Sequence, residues 1–267
     1  MNESPSSERD SARRPAPGAL ALIWRLPAWS IALAALSLAA WAFLAWIVVD
    51  MGHPFAQLTM PASARWTLPN VLAILAMWAV MMAAMMLPSA LPRVLTFVSM
   101  GRRGGDAARG RSFVAAYLAV WFAFSAVATL AQWALQRIDW VDPMVVSTSP
   151  LLTGLLLLIA GVYQFSRLKR ICLSRCQSPF GFLLGAWRPG VSGAFVMGAR
   201  HGLYCLGCCW ALMALLFVGG VMNLAWIAAL SIAVALEKLL PRGERIATVL
   251  GIALVVVGCI RLVAVAV

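Results

Sequence analysis

Seven stretches of about 17–23 mostly apolar residues recur along this 267-residue chain, near 28–49, 70–91, 113–135, 150–166, 203–222, 225–241 and 246–265. No other feature limits the possible folds so strongly. A helix needs about 20 apolar residues to cross a bilayer. Hydrocarbon offers no water to the backbone, so a crossing segment must satisfy its own N–H and C=O groups, as a helix does. The composition agrees: 63% of residues are hydrophobic and 11% charged, against about 25% charged in a soluble domain. Mean hydropathy is +0.90. A soluble globular enzyme, a disordered chain and a collagen-like chain are thereby excluded. The expected class is all-α, a polytopic helical membrane protein with about seven transmembrane helices.

Residues 1–26 begin polar and rich in Ser, Pro and Arg, and are expected to form a disordered cytoplasmic tail. The first apolar run lacks a small-residue cleavage site and reads as an anchor helix. Residues 27–267 are expected to form one transmembrane helical domain. Residues 180–187 are apolar but too short to cross, so an interfacial or re-entrant piece is expected there.

The net charge is +12. Basic residues in loops between apolar runs report topology, since cytoplasmic loops collect Lys and Arg. With the N-terminus inside, eighteen of the 21 Lys and Arg fall on the inner side. Only Arg65, Arg137 and Arg261 fall outside. The expected location is a bacterial inner membrane, multi-pass, with a cytoplasmic N-terminus. No basic stripe interleaved with aromatics is present, so nucleic acid is not an expected partner.

Five of the six cysteines lie within 38 residues. Cys172 and Cys176 form C-x-x-x-C in an inner loop; Cys205, Cys208 and Cys209 form C-x-x-C-C at the start of the fifth run. Thiols on the cytoplasmic side stay reduced, and clustered reduced thiols bind metal or do redox chemistry. Met197, His201, Cys205, Cys209 and Met213 recur every four residues, which places them on one face of a helix continuous through Gly198, Gly202 and Gly207. That face reads either as a ladder of soft donors or as a glycine-rich packing face. In the second run, Met77, Met81 and Met85 share one face, and Met82 and Met86 the adjacent one. Methionine also fills core gaps. Thiolates and thioethers together select soft ions, chiefly Cu(I). Zinc accepts thiolates too, but has no use for a methionine ladder.

Glu237 and Lys238 sit near the inner end of the sixth run. Ionisable residues in a membrane helix are functional candidates, and an interfacial ion pair of Glu237 with Arg242 or Arg245 is the alternative. Met51, His53, Met60, Met144 and Met222 offer a second, outer copper site. Cys259 reads as a packing residue. No phosphate-cradling loop, H-E-x-x-H or Ser-His-Asp set is present, so no catalytic residue is expected.

The segments 77–88 (M-W-A-V-M-M-A-A-M-M-L-P), 160–180 (containing K-R-I-C-L-S-R-C), 201–222 (containing C-L-G-C-C-W-A-L-M) and 223–241 with its E-K pair resemble an uncharacterised-domain family of metal-binding integral membrane proteins. That family is also described as copper chaperones of the polyphenol-oxidase (tyrosinase) type. The resemblance covers about residues 70–245, the expected metal-binding core. It implies copper binding at Cys172, Cys176, Cys205, Cys208, Cys209 and the Met81, Met82, Met85 and Met86 group, with delivery to a client cuproenzyme, for which a tyrosinase-like enzyme is the candidate. The expected function is therefore a Cu(I) chaperone and not an enzyme. Its rivals are a soft-metal transporter across the inner membrane, a thiol oxidoreductase using Cys205 and Cys208, and a purely structural subunit.

Overall fold

The computed structural model describes residues 27–63, 65–100, 107–177 and 187–266. The helices in those residues are α1 (Pro27–Val49), α2 (Pro54–Thr59), α3 (Leu68–Met100), α4 (Ala107–Arg137), α5 (Pro150–Gln164), α6 (Arg167–Gln177), α7 (Gly190–Ala214), α8 (Leu216–Gly219), α9 (Leu224–Leu239) and α10 (Gly243–Ala266). Among the described residues there is no strand, only an isolated bridge between Val141 and Ser147. All seven expected segments are helical. Five spans are long and apolar enough to cross a membrane: α1, α3, α4, α7 with α8, and α10. Helices α5 and α6 together make a possible sixth, bent by 63°. Helix α9, with 16 residues, is shorter than those five spans, so the structure supports five or six full spans where seven were expected. The expected tail 1–26 and most of the expected re-entrant piece 180–187 lie outside the described residues.

Local signals explain several helix ends. Ser149 accepts a bond from the Leu152 N–H at 3.3 Å, and Pro150 occupies the first helical position of α5. Asn223 does the same for the Trp226 N–H at 3.1 Å. Such side chains satisfy amides that have no partner inside the helix. Gly220 stops α8 at φ 81°, a conformation that glycine adopts without a Cβ penalty.

Helix α3 runs unbroken through Pro88 and Pro92. Pro88 has no N–H to give, so the Ala84 carbonyl four residues earlier loses its helical donor. Ser37 Oγ at 3.3 Å and Trp41 Nε1 at 3.1 Å, both from α1, donate to it instead. The proline thus ties α1 to the methionine-rich part of α3.

Glycines set the closest helix approaches. A Cβ on Gly161 of α5 would meet the Val255 nitrogen of α10 at 2.8 Å, and one on Gly258 of α10 would meet Leu158 of α5 at 3.0 Å. On α7, Gly198 lies against the Phe113 carbonyl of α4, and Gly202 against Val120. The Gly198-to-Gly202 spacing is therefore a packing contact of the small-residue kind. The main core gathers Met77, Met81, Met82, Met85, Met86, Tyr117, Trp121, Met213 and five cysteines.

Candidate metal centre

Six helices, α3 to α7 and α9, contribute to one sulfur-rich grouping in this core, and each brings a type of group that its own sequence dictates. On α7, residues three and four after Cys205 stack above it. Cys208 and Cys209 sit there, and their thiols donate to the Cys205 carbonyl at 3.1 Å and 3.0 Å. Between Cys205 and Cys208, Gly207 leaves a gap that the Cys172 sulfur fills; a Cβ at Gly207 would lie 2.7 Å from that sulfur. The Tyr163 hydroxyl of α5 donates to the Gly207 carbonyl at 2.5 Å.

Cys172 and Cys176 were expected in an inner loop. They lie on α6, because Lys169, Cys172, Leu173 and Cys176 follow a helical period and are all buried, while Arg167, Arg170 and Arg175 face outward. A segment with mean polarity this high reads as a loop in a search for apolar runs, yet it is amphipathic. The buried face delivers Cys176 to Cys208, with 4.0 Å between the sulfurs.

From α3, Met86 brings its thioether to within 4.0 Å of Cys209 Sγ. From α9, Lys238 places its ammonium among three sulfurs: 2.9 Å from Cys205 Sγ, 3.5 Å from Cys209 Sγ and 3.6 Å from Met86 Sδ. A buried ammonium requires anionic or dipolar partners, and sulfur surrounds this one. The Tyr117 hydroxyl of α4 lies 3.2 Å from Cys205 Sγ and donates to the Met86 carbonyl at 3.3 Å. All six cysteines are free thiols.

Glu237, next to Lys238, does not pair with Arg242 or Arg245. Its carboxylate accepts from Lys169 Nζ at 2.6 Å and from Gln164 Nε2 at 3.1 Å. Gln177 Nε2 donates to the Glu237 carbonyl at 2.8 Å. The Arg93 guanidinium donates to the Lys238 carbonyl at 3.2 Å and the Ser89 carbonyl at 3.1 Å. The last turn of α9 is thereby fixed to α3, α5 and α6.

The donor ladder of α7 divides. Cys205 and Cys209 reach the sulfur group. His201, one turn away, stacks on Tyr117 and Phe113 with centroids 5.5 Å and 6.0 Å apart. Met197 belongs to a second core cluster with Phe97 and Phe113. Met213, Met81, Met82 and Met85 are buried in the main cluster. Cys259, expected to pack inside, is exposed on α10, because that helix turns its glycines and not Cys259 toward α5. His53 uses Nδ1 to cap α2 by accepting from the Phe55 N–H at 3.2 Å, and Met51 and Met144 are exposed.

Among the described residues, no three His, Cys, Asp or Glu side chains converge as a metal-ligand set. Around the Lys238 ammonium, two thiols and one thioether gather. A closed zinc site uses four N or S ligands. A small, all-sulfur set suits Cu(I). Sequence reasoning missed Tyr117, and it counted Arg93 and Lys169 only as topological charges. For Lys169 a signal existed, since it lies three and seven residues before the two α6 cysteines.

Residues 75–261 match the model of the family PpoB2, copper chaperone. No curated protein and no solved structure matches the chain. The match spans more than half of the sequence, and the chain belongs to this copper chaperone family. Its metal is copper and its role is that of a copper-related chaperone.

Proposed function

We propose that this member of the copper chaperone family is a single-domain, multi-pass protein of the bacterial inner membrane that carries Cu(I) and delivers it to a cuproenzyme of the polyphenol-oxidase type. One observation carries the reading: the sulfurs of Cys205, Cys209 and Met86, from two helices, surround one point that a cation already occupies. Soft donors in low number bind Cu(I) and can exchange one at a time, so the ion is handed over without being set free. Entry is from the cytoplasmic side through Cys172 and the Cys176–Cys208 pair. Cys205, Cys209 and Met86 hold the ion, and Met82, Met85 and Met81 form the onward steps along α3. His201 and Tyr117 shape the wall of the site. The protein acts as a carrier and catalyses no reaction.

Titration with Cu(I) against a competing chelator tests this. The wild-type protein is expected to bind copper tightly under reducing conditions. A Cys205→Ser, Cys209→Ser variant is expected to lose that binding. Equal binding in both would remove the site from these residues. The buried column Met77, Met81 and Met85 supports a second reading, transport across the bilayer. Copper uptake into sealed vesicles containing the protein alone separates it from delivery, which requires the client.

A further inference from the structure

We infer that the Lys238 ammonium is a built-in stand-in for the cargo ion, displaced to the exposed turn after α9 when Cu(I) binds and returning when it leaves. This rests on the copper reading of the sulfur group. Lys238 Nζ lies at 2.9–3.6 Å from three sulfurs that converge from α7 and α3. No carboxylate is among those contacts; Glu237, the adjacent acid, is engaged with Lys169. The lysine therefore occupies the position where soft donors meet, not a salt bridge.

The ammonium fills the point where the three sulfurs meet, so Cu(I) held by all three must take its place, and the bound ion then supplies the positive charge that the sulfurs otherwise take from the lysine. The geometry allows the exchange. Arg93 holds the Lys238 carbonyl at 3.2 Å and Gln177 holds the Glu237 carbonyl at 2.8 Å. The backbone is thus fixed, and only the four-carbon stem has to move. Lys238 is the residue before the last of α9, and residues 239–242 directly after it are exposed. Lysine near a helix end readily extends its head group to the interface while its stem stays on apolar surface. In the copper-free state the ammonium keeps the sulfur pocket filled and assembled. On delivery, its return competes with the departing ion for the same sulfurs, which favours release to a client.

The chain has only two lysines, Lys169 and Lys238, so amine labelling reads the movement directly. Full-length protein in detergent is treated with an amine-acylating ester, with and without bound Cu(I), and the two lysines are read by mass spectrometry. The expected result is label on Lys238 only in the copper-loaded protein, with Lys169 protected in both. The Lys238→Met variant is expected to keep its copper and to release it more slowly than wild type. Lys238 left unlabelled while Cu(I) is bound would overturn the inference, as would loss of copper from Lys238→Met; either would make the ammonium a fixed partner of the thiols. A wild-type protein that binds no Cu(I), or binds it equally with Cys205 and Cys209 replaced by Ser, would instead overturn the copper reading itself.

Discussion

Lys169 on α6 and Glu237 on α9 form an ion pair of 2.6 Å with both side chains 1% exposed. Lys169 shares its helix face with Cys172 and Cys176, so this pair is the clamp that presents two thiols to α7. Removing one partner of a buried pair leaves an uncompensated charge and costs about 3–5 kcal/mol. Glu237→Gln should therefore lower the unfolding temperature and loosen α6. Oxidative cross-linking of Cys176 to Cys208 gives a positional readout. It should proceed in the wild type and fall in Glu237→Gln. Undiminished cross-linking would show that α6 docks without the clamp.

Met86 is the methionine that reaches the cysteines, at 4.0 Å from Cys209 Sγ. Met86→Leu keeps the volume and removes the sulfur. Cu(I) binding should persist through the thiols but weaken, by about ten-fold if this thioether counts like a supporting metal-site group. Met81→Leu, further along α3, should leave equilibrium affinity unchanged and slow transfer to an acceptor. Equal effects of the two substitutions on affinity would contradict the assignment of Met86 to the holding site.

The Ala84 carbonyl, freed by Pro88, depends on Ser37 and Trp41. Replacing both donors, Ser37→Ala with Trp41→Phe, leaves a buried carbonyl unpaired and should cost about 1–3 kcal/mol. Adding Pro88→Ala restores a backbone donor and should recover much of the loss. Thermal unfolding of the wild type, the double variant and the triple variant checks this; no recovery would mean that the α1 contact acts by packing alone.

Gly198 lies against the Phe113 carbonyl, and backbone has no room to yield. Gly198→Val should prevent assembly of α4 with α7 and abolish expression of folded protein. Gly52, whose added Cβ would meet only the Asp50 side chain at 3.7 Å, should tolerate Ala. A folded Gly198→Val protein would show that α4 and α7 can separate without loss of the bundle.

Five of the seven expected spans were legible in the sequence because bilayer-length apolar runs have few other interpretations, while the runs at 150–166 and 225–241 form helices of only 15 and 16 residues. Cys205, Cys208 and Cys209 were legible as a group because a local helical period connects them. The α6 helix was not, since its charged face masks an amphipathic segment. Helix α3 extends beyond its apolar run to Met100, because Pro92 and Arg93 interrupt the hydropathy while Val94, Leu95, Phe97 and Val98 continue the buried face, and α4 begins at Ala107, ahead of its run, in a turn that carries Arg109 and Arg111. The Lys169–Glu237 pair, 68 residues apart in sequence, and the contact of Tyr117 with Cys205, 88 apart, arise from tertiary packing. No local pattern encodes them.

X-ray absorption at the copper edge of Cu(I)-loaded protein tests the central claim most directly. The wild type should show sulfur as its only nearest neighbours, and the Cys205→Ser, Cys209→Ser variant should lose both the bound copper and that signature. Copper coordinated by nitrogen or oxygen in the wild type, or an unchanged spectrum in the variant, would contradict a holding site built from Cys205, Cys209 and Met86.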